Sequence, residues 1–386
     1  MNIHIMYNCY WGDGISGGDR RVLDLLKRWA DTEQYHFVLY TTKGFKKCMD
    51  DENVECKDIE YTDTNERESD GIILAYFKRS NNAGLTLRKR VETGDIIYSL
   101  TDILPDILPA VKIKKANKNV IWIPITHHII ESFIKRPGNK LTNFLSEYQQ
   151  KYSMCLEKRY ADRYLTPSPV VEDWYIAHGY DKNRICRSGV NVDVAKIERI
   201  EDPNAECFDA CFMARLNYSK GIMELPIIWR KVVETIPEAR LIIIGKGRDD
   251  VVDRLENAIL EQHMENSIVL GGFMDDNRAF SVMKKTGLFL FTSHEEGFGL
   301  AIAEAMLCKL PVVAYDLPVF RRVFEKGILL CDFLNTDKMA DAVISLLSNE
   351  EERIKLGEEG HDYIKSNYDL DEFAKRELDL VLETTR

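Results

Sequence analysis

Two glutamates separated by seven residues mark the segment with the clearest binding chemistry. Glu296 lies in a glycine-containing turn after an apolar strand, and Glu304 lies inside the helix that this turn opens. The first N–H groups of a helix have no partner within it, so they form a site for an anion. Gly297 and Gly299 let the backbone approach a bound group closely. The segment therefore predicts an anion site beside a carboxylate that is placed to hold a ribose diol.

Glu304 has an alternative interpretation as a solvated helix residue. Its neighbours are apolar and are expected to be buried, namely Ala303, Ala305, Met306 and Leu307. An unpartnered charge among buried apolar groups is costly, which favours a binding role for Glu304.

Two cations follow another strand of the same half of the chain. Arg215 ends the strand, and Lys220 lies five residues later in the turn that opens the next helix. Both can reach one point at the end of the sheet. Two fixed cations suit a diphosphate, which gains charge when it leaves as a product. The alternative is a pair of ordinary surface bases at a strand end.

The elements that position these groups form two αβ arrays. In the first half we predict strands over 2–8, 35–42, 95–101, 119–126 and 163–168, with helices over 18–31 and 141–161. In the second half we predict strands over 208–216, 239–245, 267–272, 287–293, 311–316 and 328–332, with helices over 221–236, 249–264, 277–286 and 299–309. Such alternation predicts parallel sheets with helices on both faces. Residues 43–70 are acidic and poorly periodic, which predicts a variable excursion outside the core.

The polar segment 189–203 predicts the link between two doubly wound domains. We place an N-terminal Rossmann-like domain at 1–190 and a C-terminal Rossmann-like domain at 191–370, which the family resemblance given below assigns to the acceptor and to the nucleotide sugar. A C-terminal helix at 371–386 is expected to pack back on the N-terminal domain. Two such domains facing one another create a central cleft at the carboxyl ends of their strands, where open α/β sheets bind ligands.

Composition limits the class of protein. The 386 residues carry a net charge of −11, which argues against a general nucleic-acid binder. No apolar run is long enough to span a membrane, and no signal peptide is visible. The nine scattered cysteines fit a reduced, cytoplasmic protein, and Cys207 and Cys211 are expected to be buried structural thiols.

These motifs together resemble the retaining glycosyltransferases of family 4, which have the GT-B fold. The resemblance rests on the two glutamates followed by Ala305-Met306 and by Pro311-Val312-Val313-Ala314, on Arg215 with Lys220-Gly221, on Gly272-Phe273, and on the glycine pair Gly17-Gly18 after the first strand. It covers most of the chain, although residues 43–90 carry no recognised motif. It implies a transferase that needs neither cofactor nor metal and moves a hexose from a nucleotide-diphosphate sugar to a lipid-linked or glycan hydroxyl.

The resemblance also assigns residues to roles. It implies that Arg215, Lys220, Glu296 and His127 act at the reaction centre, and that the donor is bound by Gly17, Gly18, Gly272, Phe273, Met274, Gly297, Phe298, Gly299, Leu300, Ala301 and Glu304. Of the neighbours His127 and His128, we prefer His127 as the contact to the transferred hexose. The family is expected to use the leaving phosphate, not a histidine, as the general base.

The base and the sugar of the donor stay open. Asp275 and Asp276 follow the segment expected to hold the nucleobase, and a carboxylate can accept hydrogen bonds from guanine. The alternative is that they cap and start the next helix. Residues 315–322 are similar to bacterial phosphatidylinositol mannosyltransferases, which favours GDP-mannose, while UDP-sugars remain an alternative. An epimerase of GT-B fold and an inactive nucleotide-sugar-binding protein are the competing functions.

The charge of the chain is uneven. Residues 76–164 hold 16 Lys and Arg against 8 Asp and Glu. One interpretation is a set of solvated helix faces. The other is peripheral contact with the inner face of the membrane through residues 76–118, in which basic residues meet anionic lipid and Tyr76, Phe77 and Leu87 enter the interface. The basic residues concerned are Lys78, Arg79, Arg88, Lys89, Arg90, Lys112, Lys114, Lys115 and Lys118.

Overall fold

The computed structural model describes residues 1–12, 14–30, 32, 34–67, 69–136, 139–189 and 192–383. The chain divides into two compact units. Unit 1 consists of Met1–Lys135, Asn139–Val190 and Asp371–Arg386, and unit 2 consists of Arg136–Gly138 and Asn191–Leu370. Three parts of the sequence-based prediction lie outside the described residues. They are the helix end at Asp31, the domain boundary at Val190 and Asn191, and residues 384–386 of the last helix.

Unit 1 is built on a parallel sheet whose described strands run in the order β3-β2-β1-β4-β5. Its elements are β1 Asn2–Tyr7, α1 Gly17–Trp29, β2 His36–Thr41, α2 Lys43–Asp51, β3 Ile59–Tyr61, α3 Ile72–Arg90, β4 Ile96–Ser99, α4 Leu104–Ala116, β5 Ile121–Pro124, α5 Lys140–Tyr160, β6 Tyr164–Thr166, α6 Pro169–Ala177 and β7 Ile185–Arg187. Strands β6 and β7 pair in parallel as a separate small sheet. Side chains from both strands and helices fill the core, with Tyr40, Tyr98 and Trp122 fully buried.

The last helix, α15 Leu370–Leu382, completes unit 1 through a buried ion pair. The Arg21 guanidinium of α1 donates to the Glu377 carboxylate, and both side chains are almost fully buried. The Tyr98 hydroxyl donates to the other carboxylate oxygen at 2.6 Å. Breaking such a pair by removing one partner costs about 3–5 kcal/mol, because it leaves an uncompensated buried charge.

Unit 2 is built on a second parallel sheet, and the described strands run in the order β10-β9-β8-β11-β12-β13. Its elements are α7 Val194–Arg199, β8 Phe208–Met213, α8 Leu225–Thr235, β9 Leu241–Ile244, α9 Asp249–Glu261, β10 Ile268–Gly272, α10 Asp276–Lys284, β11 Thr286–Phe291, α11 Leu300–Leu307, β12 Val312–Tyr315, α12 Phe320–Val323, β13 Ile328–Cys331, α13 Thr336–Ser348 and α14 Glu350–Asn367. The central strands are short and almost entirely buried, as expected of a parallel sheet covered by helices on both faces.

Each predicted strand and helix has a counterpart of the same type, with ends that shift by a few residues. The helix predicted from Gly221 begins four residues later at Leu225, because residues 218–220 form a 3-10 turn that ends at a left-handed Gly221. Helices α3, α4, α6, α7 and α12 and strand β7 were not predicted. Cys211 is buried as expected, but Cys207 is exposed because it lies just before β8.

The interpretation of residues 43–70 as an excursion outside the core is wrong. This segment forms α2 and the edge strand β3, and Phe45 and Met49 are fully buried. These two apolar residues are one helical turn apart, so a single side of a short helix supplies the contact. The charged residues around them in α2 obscured that spacing.

We expect the buried carboxyl of Glu157 to make the stability of the protein fall as pH rises. Burial raises its pKa to about 8, with the neighbouring Asp102 adding to the effect. The folded state thus holds a proton that the unfolded state releases, so the free energy of unfolding decreases between about pH 5 and 8, by at most about 1.4 kcal/mol per pH unit. Glu157→Gln should remove this component of the slope, measured by urea unfolding across that range. Parallel pH profiles for the two proteins would contradict the expectation.

Candidate functional site

Strands β8 and β11 lie side by side at the centre of the unit 2 sheet, and the chain leaves them in opposite directions. From β8 it continues to β9 on one side, whereas β11 is followed by β12 on the other. Ligands of open α/β sheets bind at such a point, outside the carboxyl ends of the two strands. The loops that follow β8 and β11 carry Lys220 and Glu296.

The loop after β8 fits tightly against the end of β11. Asn217 accepts the backbone N–H of Lys220 and so caps the 3-10 turn. Gly221 has a φ of +66°, and a Cβ there would lie 1.9 Å from the Thr292 carbonyl oxygen. The Thr292 hydroxyl donates to the carbonyls of Lys220 and Gly221 at 3.0 and 2.9 Å. These contacts fix the backbone from which the Lys220 side chain extends.

Lys220 and Glu296 form an ion pair between the two loops. The Lys220 ammonium donates to a carboxylate oxygen of Glu296. Their side chains retain 22% and 13% of their exposure, so the pair is partly shielded from water and still open to a ligand. The structure thus brings together two of the residues that the sequence assigned to the reaction centre.

Arg215 lies in the same loop after β8 but is not joined to this pair. Its side chain is exposed, and the ion pairs found among the described residues do not include it. An exposed, uncommitted guanidinium keeps all of its donors for an anionic ligand.

The loop after β11 ends at the uncapped start of α11. Gly299 takes the N-cap position with a φ of +101°, and a Cβ there would lie 2.9 Å from the Phe320 ring. Among the described residues no side chain caps this helix, which leaves the N–H groups of Leu300 and Ala301 directed at an external acceptor. Gly297 precedes this turn. The Phe298 side chain is buried against Phe324, so only its backbone is available to a donor.

Glu304 lies within α11 and is partly buried. Its predicted surroundings are confirmed, since Ala303, Ala305 and Met306 are fully buried and Leu307 nearly so. The Glu304 side chain thus lies on α11 beside fully buried apolar groups.

The segment after β10 borders an open cavity of about 600 Å³ in unit 2. Gly272 has a φ of +65°, Phe273 is 66% exposed, and Met274 is buried. The cavity is also lined by the turn after β9 and the first turns of α9, including Gly245, Lys246, Gly247, Asp249 and Val252. An exposed aromatic ring beside a cavity of this size gives a planar base a surface on which to stack.

Asp275 and Asp276 are both engaged in the fold of unit 2. Asp275 caps α10 by accepting the N–H of Arg278 at 3.0 Å. Asp276 accepts the ammonium of Lys196 at 2.6 Å. The helix-capping alternative is therefore confirmed, and the argument that these carboxylates recognise guanine loses its basis.

Sequence reasoning missed the groups that hold the site in place. His294 lies 3.1 Å from a carboxylate oxygen of Glu224, and Glu295 accepts the guanidinium of Arg136 at 2.6 Å. Thr292 and Asn217 were likewise missed. The doublet Glu295-Glu296 was the one feature of the sequence that pointed to these supporting contacts. The sequence alone does not show which of the two carboxylates pairs with which cation.

In unit 1 the glycine pair lies in the first turn of α1. Ser16 caps this helix and accepts the N–H of Asp19, while the Asp19 carboxylate accepts the N–H of Ser16 and the Tyr7 hydroxyl. Asp19 is thus committed to the helix cap. Neither Gly17 nor Gly18 has a positive φ, and a Cβ on Gly18 would make only ordinary contacts. Local sterics therefore do not require glycine at position 18.

His127 follows β5, at the carboxyl edge of the unit 1 sheet. Its Nε2 lies 2.9 Å from the Leu100 carbonyl oxygen, so Nε2 carries the proton and Nδ1 is an acceptor. Burial, together with the charge of Arg21, lowers its pKa to about 3. His127 is therefore neutral at physiological pH. The backbone carbonyl of His128 instead accepts the side chain of Gln150.

The basic run 76–118 is partly engaged within unit 1. Four of its cations are ion-paired: Lys78 with Asp70, Arg79 with Glu66, Arg90 with Asp58 and Glu60, and Lys114 with Asp162. Arg79 and Leu87 are buried, so neither can meet a membrane, and their assignment to the interface is wrong. Phe77 is exposed. No helix in the described part of the chain is both long and apolar enough to cross a bilayer.

Comparison with known sequences finds relatives of the second half of the chain. Residues 193–363 match the family model described as Glycosyl transferases group 1. Over 172 residues the chain is 31% identical to the poly(glycerol-phosphate) alpha-glucosyltransferase of Bacillus subtilis (strain 168), covering 42% of this chain and 25% of that protein. Over 144 residues it is 26% identical to the GDP-mannose:cellobiosyl-diphosphopolyprenol alpha-mannosyltransferase of Xanthomonas oryzae pv. oryzae, covering 37% of each. The chain thus spans well under half the length of these relatives.

Solved structures extend the likeness to the whole chain. Anabaena HepE in complex with UDP and glucose superposes with a TM-score of 0.78 over 99% of this chain and 100% of that chain, at 16% identity. Sucrose-phosphate synthase from Thermosynechococcus elongatus superposes with a TM-score of 0.75 over 99% and 98%, also at 16% identity. At this identity the likeness shows the fold. The predicted class, an α/β chain of GT-B type with two Rossmann-like units, is confirmed.

Proposed function

We propose that this chain, which matches the Glycosyl transferases group 1 model over residues 193–363, is a retaining glycosyltransferase. The proposed enzyme needs no metal and uses a nucleotide-diphosphate hexose as donor. The observation that carries the proposal is the Lys220–Glu296 ion pair at the diverging strands β8 and β11, next to the uncapped start of α11. This site offers a diphosphate an ammonium, the Arg215 guanidinium and free N–H groups within one unit.

The proposed reaction transfers the hexose to a hydroxyl of a glycan or of a lipid-linked acceptor. The acceptor oxygen forms a bond to the anomeric carbon, and the bond from that carbon to the diphosphate oxygen breaks. The departing diphosphate gains negative charge, which Lys220, Arg215 and the N–H groups of Leu300 and Ala301 stabilise. The acceptor proton passes to the leaving phosphate. His127 accepts a hydrogen bond from a hexose hydroxyl through the neutral Nδ1, a role that agrees with its lowered pKa.

We further propose that the donor is a UDP-sugar. The carboxylates that could have selected guanine, Asp275 and Asp276, are committed to the α10 cap and to Lys196. Gly272, Phe273 and Met274 then hold the base through stacking and backbone groups, and Gly17 and Gly18 approach the phosphates. HepE was solved with UDP, while the Xanthomonas relative is named for GDP-mannose. UDP and GDP are therefore the two nucleotides whose binding should be compared.

Calorimetry with UDP, GDP and ADP tests the donor assignment. We expect UDP to bind at least about tenfold more tightly than GDP, a difference of about 1.4 kcal/mol. Tighter binding of GDP would contradict the proposed base. Incubation with UDP-hexoses and acceptor extracts, with and without chelator, then tests the reaction itself. Transfer with retained anomeric configuration in chelator supports the proposal. Inversion at C2 of the sugar supports the epimerase, and binding without turnover supports an inactive binding protein.

A further inference from the structure

A second acid–base pair joins the loop after β11 to the start of α8. The Nε2 atom of His294 lies 3.1 Å from Oε1 of Glu224, and Nε2 carries the proton because a carboxylate only accepts. The two side chains retain 14% and 19% of their exposure. The backbone N–H of His294 also donates to the Ser219 carbonyl at 2.8 Å. His294 is therefore held through both its side chain and its backbone.

The Glu224–His294 pair runs alongside the Lys220–Glu296 ion pair. Glu224 lies four residues after Lys220, and His294 lies two residues before Glu296. Among the described residues, these are the two pairs of acidic and basic side chains that link residues 214–224 with residues 292–299. The loops that carry the candidate site are thus joined at two places.

Aromatic rings pack around the Glu224–His294 pair. The imidazole meets the Phe333 ring edge-on with ring centres 5.6 Å apart, and its centre lies 6.4 Å from that of Tyr315. Tyr315 in turn packs edge-on against Phe333 at 5.7 Å. The pair is therefore packed against the end of β12 and the turn that follows β13, which restricts the imidazole.

This arrangement is not the one that would stabilise the fold most. Oε2 of Glu224 and the hydroxyl of Tyr315 are both buried, and neither has a hydrogen-bond partner among the described residues. Burial, and then the charge of Glu224, raise the pKa of Tyr315. A buried polar atom without a partner costs folding free energy. Local costs of this kind are expected at functional sites, so a role of Glu224 in the site accounts for it better than a role in stability.

Binding of the proposed donor changes the partner of Lys220. The donor diphosphate and the Glu296 carboxylate compete for one ammonium, and the diphosphate carries the larger charge. Donor binding therefore weakens the Lys220–Glu296 pair when Glu296 has to be in place for the sugar. The Glu224–His294 pair keeps its contact, because its side chains are mostly buried and bound to each other.

We propose that Glu224 and His294 are positioning residues, whose contact holds the loop after β11, and with it Glu296, in place while the donor diphosphate occupies Lys220. The proposal rests on the proposed function. It assigns neither residue a contact with the donor.

Amide hydrogen exchange without nucleotide tests whether the two pairs act in parallel. Lys220→Ala and His294→Ala each leave one pair, so exchange in residues 294–298 should stay within about threefold of the wild type. Lys220→Ala/His294→Ala removes both pairs, and exchange there should be at least about tenfold faster. The matched control is His361→Ala combined with Lys220→Ala. His361 is also a mostly buried, ion-paired histidine of unit 2, and this control should exchange like Lys220→Ala alone.

Steady-state rates separate positioning from stability. His294→Ala and Glu224→Ala should each lower kcat at least about tenfold, while KM for the donor and the affinity for UDP change less than about threefold. His294→Gln should restore most of the rate, because its side-chain amide can still donate to Glu224. His361→Ala should keep the wild-type rate. Unchanged UDP affinity also shows that the variants fold.

Two outcomes would overturn the proposal. One is exchange in Lys220→Ala/His294→Ala that is no faster than in the single variants. The other is a kcat for His294→Ala equal to that of His361→Ala. The exchange experiment uses no nucleotide, so it judges the link between the loops even if no donor is turned over. Absence of transfer by the wild type with every donor would instead contradict the proposed function.

Discussion

Replacing Lys220 by alanine is expected to lower turnover by about 30- to 1,000-fold, because the departing diphosphate loses a fixed cation. A contact to charge that develops in the transition state is worth about 2–4 kcal/mol, which corresponds to that range of rate. The Lys220 side chain is partly buried and its backbone is fixed by Asn217 and Thr292, so its ammonium is held in one place.

Lys231→Ala is the matched control for this prediction. Lys231 lies on α8 of the same unit and is also ion-paired, with Asp337, so its removal changes charge and an ion pair without touching the site. It should retain near-wild-type turnover. A double-mutant cycle of Lys220→Ala with Glu296→Ala should show strong coupling, because each side chain holds the other. Near-full turnover of Lys220→Ala would remove the residue from the reaction centre.

Alanine variants of Glu304 and Glu296 are expected to lose different properties, the first nucleotide affinity and the second turnover. Glu304→Ala should weaken binding of the free nucleoside diphosphate, because Glu304 is fixed within α11 where a ribose diol would be held. Glu296→Ala should lower turnover while the nucleotide still binds, because Glu296 is bound to Lys220 and is expected to contact the sugar of the proposed donor. We expect a loss of at least about tenfold in nucleotide affinity for the first variant and under about threefold for the second.

Calorimetry with the nucleotide and steady-state rates, on both variants, distinguish these roles. Glu304→Gln and Glu296→Gln serve as size-matched controls, since they keep a hydrogen-bonding group and remove the charge. Equal losses of nucleotide affinity in Glu304→Ala and Glu296→Ala would contradict the division of roles.

Alternation of short apolar runs with helical segments was enough to predict most of both sheets. Parallel strands buried on both faces, such as Leu241–Ile244 and Val312–Tyr315, are continuous apolar runs, and their short length and β-branched residues favour a strand. The prediction for residues 43–70 was wrong because α2 buries only one side of a short helix. The polar residues around Phe45 and Met49 dominate its sequence pattern.

The sequence was enough to locate the candidate site, but it did not predict which of its side chains contact one another. Motif spacing placed Lys220 and Glu296 after strands, and only the pairing of β8 with β11 makes those strand ends adjacent. The commitments of Asp275 to a helix cap and of Asp276 to Lys196 depend on residues that are 3 and 80 positions away. The partners of the basic run are likewise set by tertiary contacts, so charge counting along the chain overestimated its exposed charge.

The ion pair between Arg21 and Glu377 also determines when unit 1 can be completed during synthesis of the chain. These residues are 356 positions apart, so at ribosomal rates Arg21 leaves the ribosome roughly 20 to 70 s before its partner exists. Residues 191–370 of unit 2, by contrast, emerge as one continuous segment. The unit of the protein that is begun first is therefore completed last, because α15 is made only after the whole of unit 2.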